Sequence, residues 1–261
     1  MKPFLSAAAL LSLVAWAAAV AAAEPAAEIN LITGKGTATQ GATVRPLAKG
    51  DPVYPGEMIN SGPASYVNLK FADGAFVLIR PNSRFHIEDY AFVPPAAPEP
   101  AKPATAAPSA VVKGALPTTG QPTGRAFFRL LKGGFRAVSG LVGKLDRNEY
   151  RVATPVATIG IRGTDYTAVI CDAACANDPV VRADVAEGTP TEGGLVAGVV
   201  SGQIAVASDG KNCDKPNEKG ECILSESQYM LVAQDGSQTR LDGPPRFLEV
   251  DPTPNPTTCA P

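Results

Sequence analysis

Histidine occurs once in these 261 residues, at His86, and tryptophan also occurs once. A serine or cysteine hydrolase needs a base beside its nucleophile, and that base is almost always histidine. His86 has no Gly-x-Ser-x-Gly element to serve, and no Ser-x-x-Lys motif stands at a helix start. Zinc sites favour cysteines two to four residues apart together with histidine, and His86 is far from every cysteine. No metal and no cofactor is expected. An excess of one charge is lacking too: the formal net charge is −2, so no global field favours nucleic acid or an acidic surface. The glycine-rich stretch Gly34 to Gly41 has the wrong residue order for a phosphate loop and no strand–helix unit around it. Carboxylates are plentiful, but nothing in their placement selects the two that a glycosidase requires. An enzyme is not expected.

Beyond the first 23 residues no stretch is long and apolar enough to cross a membrane. Residues 1–23 read as a cleavable signal peptide: Lys2, an apolar core from Leu10 to Val20, then Ala21-Ala22-Ala23 before Glu24. The mature chain is therefore expected in the periplasm or secreted, with no transmembrane segment. All five cysteines fall in that exported part, where disulfides are the default. Sequence alone leaves the pairing open. Short-range bridges, Cys171–Cys175 and Cys213–Cys222, are expected because each pair brackets a polar loop between strand-like runs. Cys259, in a Pro/Thr-rich tail, is the free-thiol candidate.

What is abundant is turn-formers, 25 glycines and 25 prolines, which point to many turns and to β structure. Residues 24–93 read as a β unit. Val67, Leu69 and Phe71 alternate with Asn68 and Lys70, the period of a half-buried strand. Asp73-Gly74 supplies a tight hairpin turn, and the return strand Phe76 to Ile79 is apolar on both faces, hence central. Phe85 and Ile87 share a side, which leaves His86 on the solvated one. Residues 94–124 hold 8 prolines and 8 alanines, and a disordered, extended segment is expected there. In residues 125–170, helical and strand readings compete over "RAFFRLLK", ahead of a strand Phe135–Ser139. Pro155 belongs at an edge, a bulge or a strand start. Residues 171–250 read as a C-terminal β extension with two cysteine loops, where Val196, Val199, Ile204 and Val206 mark two strands joined around Ser201-Gly202; residues 251–261 read as a flexible tail. Turns every eight to twelve residues predict a mostly β sandwich or roll with few short helices.

Two local features stand out. From Arg125 to Thr164, eight cations face two carboxylates. Arg125, Arg129, Lys132, Arg136, Lys144, Arg147 and Arg151 could share a basic face toward an acidic partner, or simply form a solvated strand surface. Aromatics are not interleaved at stacking spacing, which disfavours nucleic acid. The second feature is Arg162-Gly163-Thr164-Asp165, set between apolar runs. Gly163 allows a bend or bulge where a side chain would clash. Arg162 can fork onto a carboxylate, with Asp165 the candidate acceptor, or can reach a partner.

The stretch "YRVATPVATIGIRGTDYTAVI" resembles the signature of the FecR-type periplasmic domain. In that signature a Thr-Pro element (Thr154, Pro155) precedes an apolar run through Gly160, then Arg-Gly-Thr (Arg162, Gly163, Thr164) and an aromatic strand from Asp165. Upstream, "PLAKGDPVYPGEMINSGPASYVNLKFADGAFVLIRPNSRF" is similar to the family's opening half, with Gly-Asp, Gly-Glu and a hairpin on Asp73-Gly74. The resemblance covers roughly Ala42 to Ile170 and implies that 94–124 is an insertion within one domain. Family members include envelope regulators that relay a signal from an outer-membrane receptor to a cytoplasmic sigma factor. Those regulators carry a cytoplasmic segment and a transmembrane helix, whereas this chain opens on a signal peptide, so direct sigma-factor control is not expected. The expectation is a non-enzymatic binding, sensing or scaffold module of the cell envelope, with an envelope protein or glycan as partner. The alternatives are a secreted surface or adhesion module, and a cell-wall polymer hydrolase with an unrecognised carboxylate pair.

Overall fold

The computed structural model describes residues 24–95, 122–161, 163–208, 213 and 216–248. The expected signal peptide, most of the insertion, Arg162 and Cys259 lie outside them. The strands are β1 (Ala27–Thr33), β2 (Gly36–Gln40), β3 (Thr43–Pro46), β4 (Pro52–Val53), β5 (Met58–Ser61), β6 (Tyr66–Phe71), β7 (Phe76–Ile79), β8 (Arg84–Val93), β9 (Thr123–Lys132), β10 (Gly134–Val138), β11 (Tyr150–Ala153), β12 (Thr158–Ile161), β13 (Asp165–Ile170), β14 (Leu195–Ser201), β15 (Gln203–Ala207), β16 (Cys222–Ser225), β17 (Tyr229–Val232) and β18 (Gln238–Leu241). They form two nine-stranded sheets. The first runs β18-β17-β14-β13-β10-β7-β6-β1-β4 and the second β16-β15-β12-β11-β9-β8-β5-β2-β3. The short helices are α1 (Val142–Leu145), α2 (Ala173–Ala176) and α3 (Pro179–Asp184). None of the described helices is long and apolar enough to cross a membrane.

The ladder decides the ambiguous segments. "RAFFRLLK" is strand, because β8 on one side and β11 on the other both pair with it. Ala126, Phe128 and Leu130 point inward and are buried. Thr123 and Gly124, assigned to the insertion from composition, begin β9, and Thr123 pairs with Val93. The insertion therefore leaves from the tip of one antiparallel pair. Pro155 sits in none of its three expected places. It lies in the turn joining β11 to β12, where Thr154 Oγ1 donates to Ala157 O (2.8 Å) and accepts from Ala157 N (3.0 Å). Ser201-Gly202 joins two strands as expected, but β14 and β15 belong to opposite sheets, so the junction is a corner. Corners recur. The connector holds a positive-φ residue wherever the chain passes between sheets without a helix: Gly34, Gly50, Gly56, Ala64, Asn82, Gly133, Gly163, Gly202 or Ser227.

Between the sheets lies one large core. Few aromatics are available, and seven of them form a connected network: Tyr90, Phe71, Phe128, Phe85, Phe135 and Tyr166 in succession, with Tyr150 against Phe128. Their ring centroids are 5.2 to 5.7 Å apart. Four of these six contacts are edge-to-face, and such pairs contribute about 1 kcal/mol each beyond area burial. The hydroxyls of Tyr150 and Tyr166 lie 2.8 Å apart and satisfy each other in the interior. A second small core sits outside the first sheet, where the Cys171–Cys175 bridge, Val181, Val196, Leu231 and Leu241 pack together.

The β6–β7 turn is more than a turn. Only Gly74 has positive φ (83°), and Gly74 N donates to Phe71 O at 3.0 Å. Four residues thus bend the chain, with glycine last, in place of a two-residue loop with both angles positive. Asp73 is buried at 6% exposure. Its Oδ1 accepts from Ala75 N (3.2 Å) and Tyr90 OH (3.1 Å), and its Oδ2 from Val142 N (3.1 Å) at the start of α1. One carboxylate therefore ties the first sheet to β8 of the second and to α1.

All four sheet edges are blunted. β4 is two residues long and opens on Pro52, while β3 ends on Pro46. On β16, Arg240 Nη2 donates to Ile223 O (3.0 Å) and Gln228 Oε1 accepts from Ser225 N (2.8 Å). Beside β18, Asp184 of α3 accepts from Asp242 N at 2.8 Å. Proline, short length and side-chain caps are the means by which sheets avoid adding strands.

Two predictions follow from the interior. Asp73→Ala strands three buried donors and costs about 3 kcal/mol or more. Gly74→Ala, which strains one angle, costs about 1 kcal/mol. Urea unfolding of both variants checks this, and equal losses would reduce Asp73 to a turn residue. Burial, reinforced by Asp73, raises the Tyr90 hydroxyl pKa; burial raises that of Tyr150, and burial next to Tyr150 raises that of Tyr166. Below about pH 10, where unfolded tyrosine titrates, their contribution is complete. Above it the unfolded chain releases protons that the folded one keeps, so stability falls as pH rises. Phenolate absorbance of these three tyrosines is expected to appear together with loss of the β signal in circular dichroism, not before it.

Candidate functional site

The described residues of the Arg-Gly-Thr element belong to the architecture. β12 belongs to the second sheet and β13 to the first, so Gly163 and Thr164 lie at one of the corners. Thr164 is buried, its N–H donating to Ser139 Oγ (2.8 Å) and its hydroxyl to Gln203 O (2.6 Å). Gly163 is required by its φ of 64°, not by close approach: a Cβ there would meet only Lys144 Cγ at 3.5 Å. The close approach is at Gly202, whose Cβ would stand 2.5 Å from Gly163 O. Asp165 is gripped from β10, with Arg136 Nε to Oδ1 at 3.0 Å and Nη2 to Oδ2 at 2.9 Å. The bidentate fork expected of Arg162 is thus supplied by Arg136, and Arg162 itself lies outside the described residues.

The seven basic residues do not form one face. Arg136 lies on the first sheet; Arg125, Arg129 and Arg151 project outward from the second. Three of the charges are paired. Arg125 meets Asp89, Arg129 meets Glu88 and Arg136 meets Asp165, and the Asp89 carboxylate raises the Arg125 pKa by hydrogen bonding. Asp89 and Glu88 come from β8, across the insertion, and so escape any count along 125–164. Arg151 stacks over Phe127 at 4.4 Å from the ring centroid, a cation–π contact. His86 is half-buried beside Gly56 O at 3.3 Å. No group of three or more His, Cys, Asp or Glu side chains among the described residues stands together as a metal site.

A cavity of about 550 Å³ opens on the outer side of the second sheet. Gly160 of β12 and Ala205 of β15 are cross-strand partners and form its floor. One wall is Leu145 to Asn148, at the end of α1. The other is Asn217, Glu218, Lys219 and Glu221, in the loop closed by the Cys213–Cys222 bridge. Both walls are internally fixed. Asp146 Oδ1 accepts from Asn148 N at 2.8 Å. Asn217 Oδ1 accepts from Lys219 N and Glu221 N (both 2.9 Å), while its Nδ2 donates to Glu221 Oε2 at 2.7 Å. Of the sequence candidates among the described residues, only Gly160 and Arg147 meet here. Thr154 and Pro155 line a separate cleft with Ser208 and Asp235. Asp146, Asn148, Glu218 and Lys219 were missed by sequence reasoning, although the dense polar run inside the second cysteine loop was visible.

The Arg136–Asp165 pair generates a test. In a double-mutant cycle of Arg136→Ala and Asp165→Ala, coupling of roughly 1–2 kcal/mol is expected. A null cycle would return Asp165 to Arg162.

No family model matches the chain, and no curated protein matches it. Two crystal structures of a candidate anti-sigma factor from Parabacteroides distasonis are similar to part of it, at 8% and 10% identity with TM-scores of 0.39 and 0.37. Each alignment covers 71% of this chain and 59% of the other. The chain thus spans less than two thirds of those proteins' length, and a likeness of this strength carries no argument about function.

Proposed function

We propose that this chain is an exported, non-enzymatic binding module of the cell envelope, of the FecR type, which holds a glycan or protein partner. The carrying observation is where charge is left unsatisfied. Arg125, Arg129 and Arg136 are neutralised within the sheets. Arg147 and Lys219, on opposite walls of the cavity, have no ion-pair partner among the described residues. A concavity whose charges of both signs are open, and whose walls are held by their own turns, fits recognition by preformed polar groups. Two disulfides support export to an oxidising compartment. The Thr-Pro and Arg-Gly-Thr elements, with the Gly-Asp, Gly-Glu and Asp-Gly series before them, support the family reading. On it, residues 94–124 are an insertion within one domain and 171–250 an extension that completes both sheets.

The test is cosedimentation of the purified exported chain with isolated envelope sacculi, combined with analysis of soluble products. Saturable retention with no released fragments is expected. Release of sugar or peptide fragments would instead establish a hydrolase, and absence of retention together with recovery from the outer surface would favour the adhesion module.

A further inference from the structure

Resting on that reading, we infer that the cavity on the second sheet is a saccharide subsite for a glycan bearing acetamido groups. Its volume, about 550 Å³, lies in the range of small-ligand sites. Its floor is open because two outward-facing residues that could fill it are small. A Cβ at Gly160 would meet nothing within 4 Å, and Ala205 pairs with it across the strands. A sugar ring can therefore lie against backbone.

The groups above that floor are of both signs and both hydrogen-bonding senses. Arg147 and Asn148 project from one wall, Glu218 and Lys219 from the other, and none has a side-chain partner among the described residues. Arg147, Lys219 and the Asn148 amide donate to an acetamido carbonyl or to ring oxygens. Glu218 accepts from an acetamido N–H or from hydroxyls. Leu145, 47% exposed, offers an apolar contact for a methyl group or the C–H side of a ring. With both signs present on opposing walls, a polyanion would meet Glu218 and Asp146, and a polycation would meet Arg147 and Lys219. A neutral, amide-rich saccharide conflicts with neither. The fixed turns at Asp146 and Asn217 hold the walls before any ligand arrives, which reduces the ordering cost of binding.

The experiment titrates the exported chain with chitotetraose and with maltotetraose, following backbone amide resonances. Chitotetraose is expected to shift Asn148, Gly160 and Lys219, and maltotetraose, which lacks acetamido groups, to bind more weakly. Gly160→Phe, which fills the floor at a position with open space, is expected to weaken chitotetraose binding tenfold or more, about 1.4 kcal/mol, with an unchanged melting temperature. Should that variant fail to fold, the Arg147→Ala/Lys219→Ala double variant, altered only at exposed side chains, carries the same expectation. Equal affinity for the two sugars, or undiminished binding by the folded variant, overturns the inference. Sacculus retention that survives Gly160→Phe sinks the saccharide subsite while leaving the binding module standing; loss of all retention by the parent chain sinks both.

Discussion

The Asp73 carboxylate is the junction on which the rest of the molecule is hung. It belongs to a turn of the first sheet, accepts the phenol of a second-sheet tyrosine and receives the N–H that opens α1. A buried carboxylate is tolerated only when its oxygens are filled by donors, and here the donors come from its own turn, from β8 and from the start of α1. The cavity depends on this junction at one remove. The wall from Leu145 to Asn148 follows α1 directly, so its position is fixed by the residue that anchors the helix's first turn.

Scarcity also shapes the interior. With aromatics at 6% of the chain, a sandwich of this size cannot fill its centre with rings everywhere. Nearly half of them are concentrated in the layer where β6, β8, β9, β10, β11 and β13 face one another, and small aliphatic residues fill the flanks. The corners do complementary work. A two-sheet fold built from strands that change sheets needs sharp reversals of direction, and one left-handed residue per connector supplies them. Thr164 and Ser139 then knit adjoining corners through hydroxyl-to-backbone bonds.

Much of the fold was legible in the residues. The alternation at Val67, Leu69 and Phe71, the apolar return strand and the turn-forming excess led to a mostly β, two-layer protein, and β6 and β7 lie where they were read. The reading of "RAFFRLLK" stayed open because three apolar residues on one helical stripe also satisfy a strand; the neighbouring strands settled it, and no local pattern contains them. Pro155 was misplaced for a similar reason, since proline reports that a ladder bond is missing without saying whether a turn or an edge is responsible. The basic face failed through bookkeeping along the chain: the carboxylates that neutralise Arg125 and Arg129 lie more than thirty residues upstream, beyond the insertion. The cavity was the least visible feature, because its floor is defined by what Gly160 and Ala205 lack.

The stopped edges carry a consequence for the molecule in a crowd. Each nine-stranded sheet ends in proline, a brief strand or a side chain spent on its own backbone, so neither end offers a template on which a second copy could grow a continuous fibre. Contact with anything else is left to the broad outer faces.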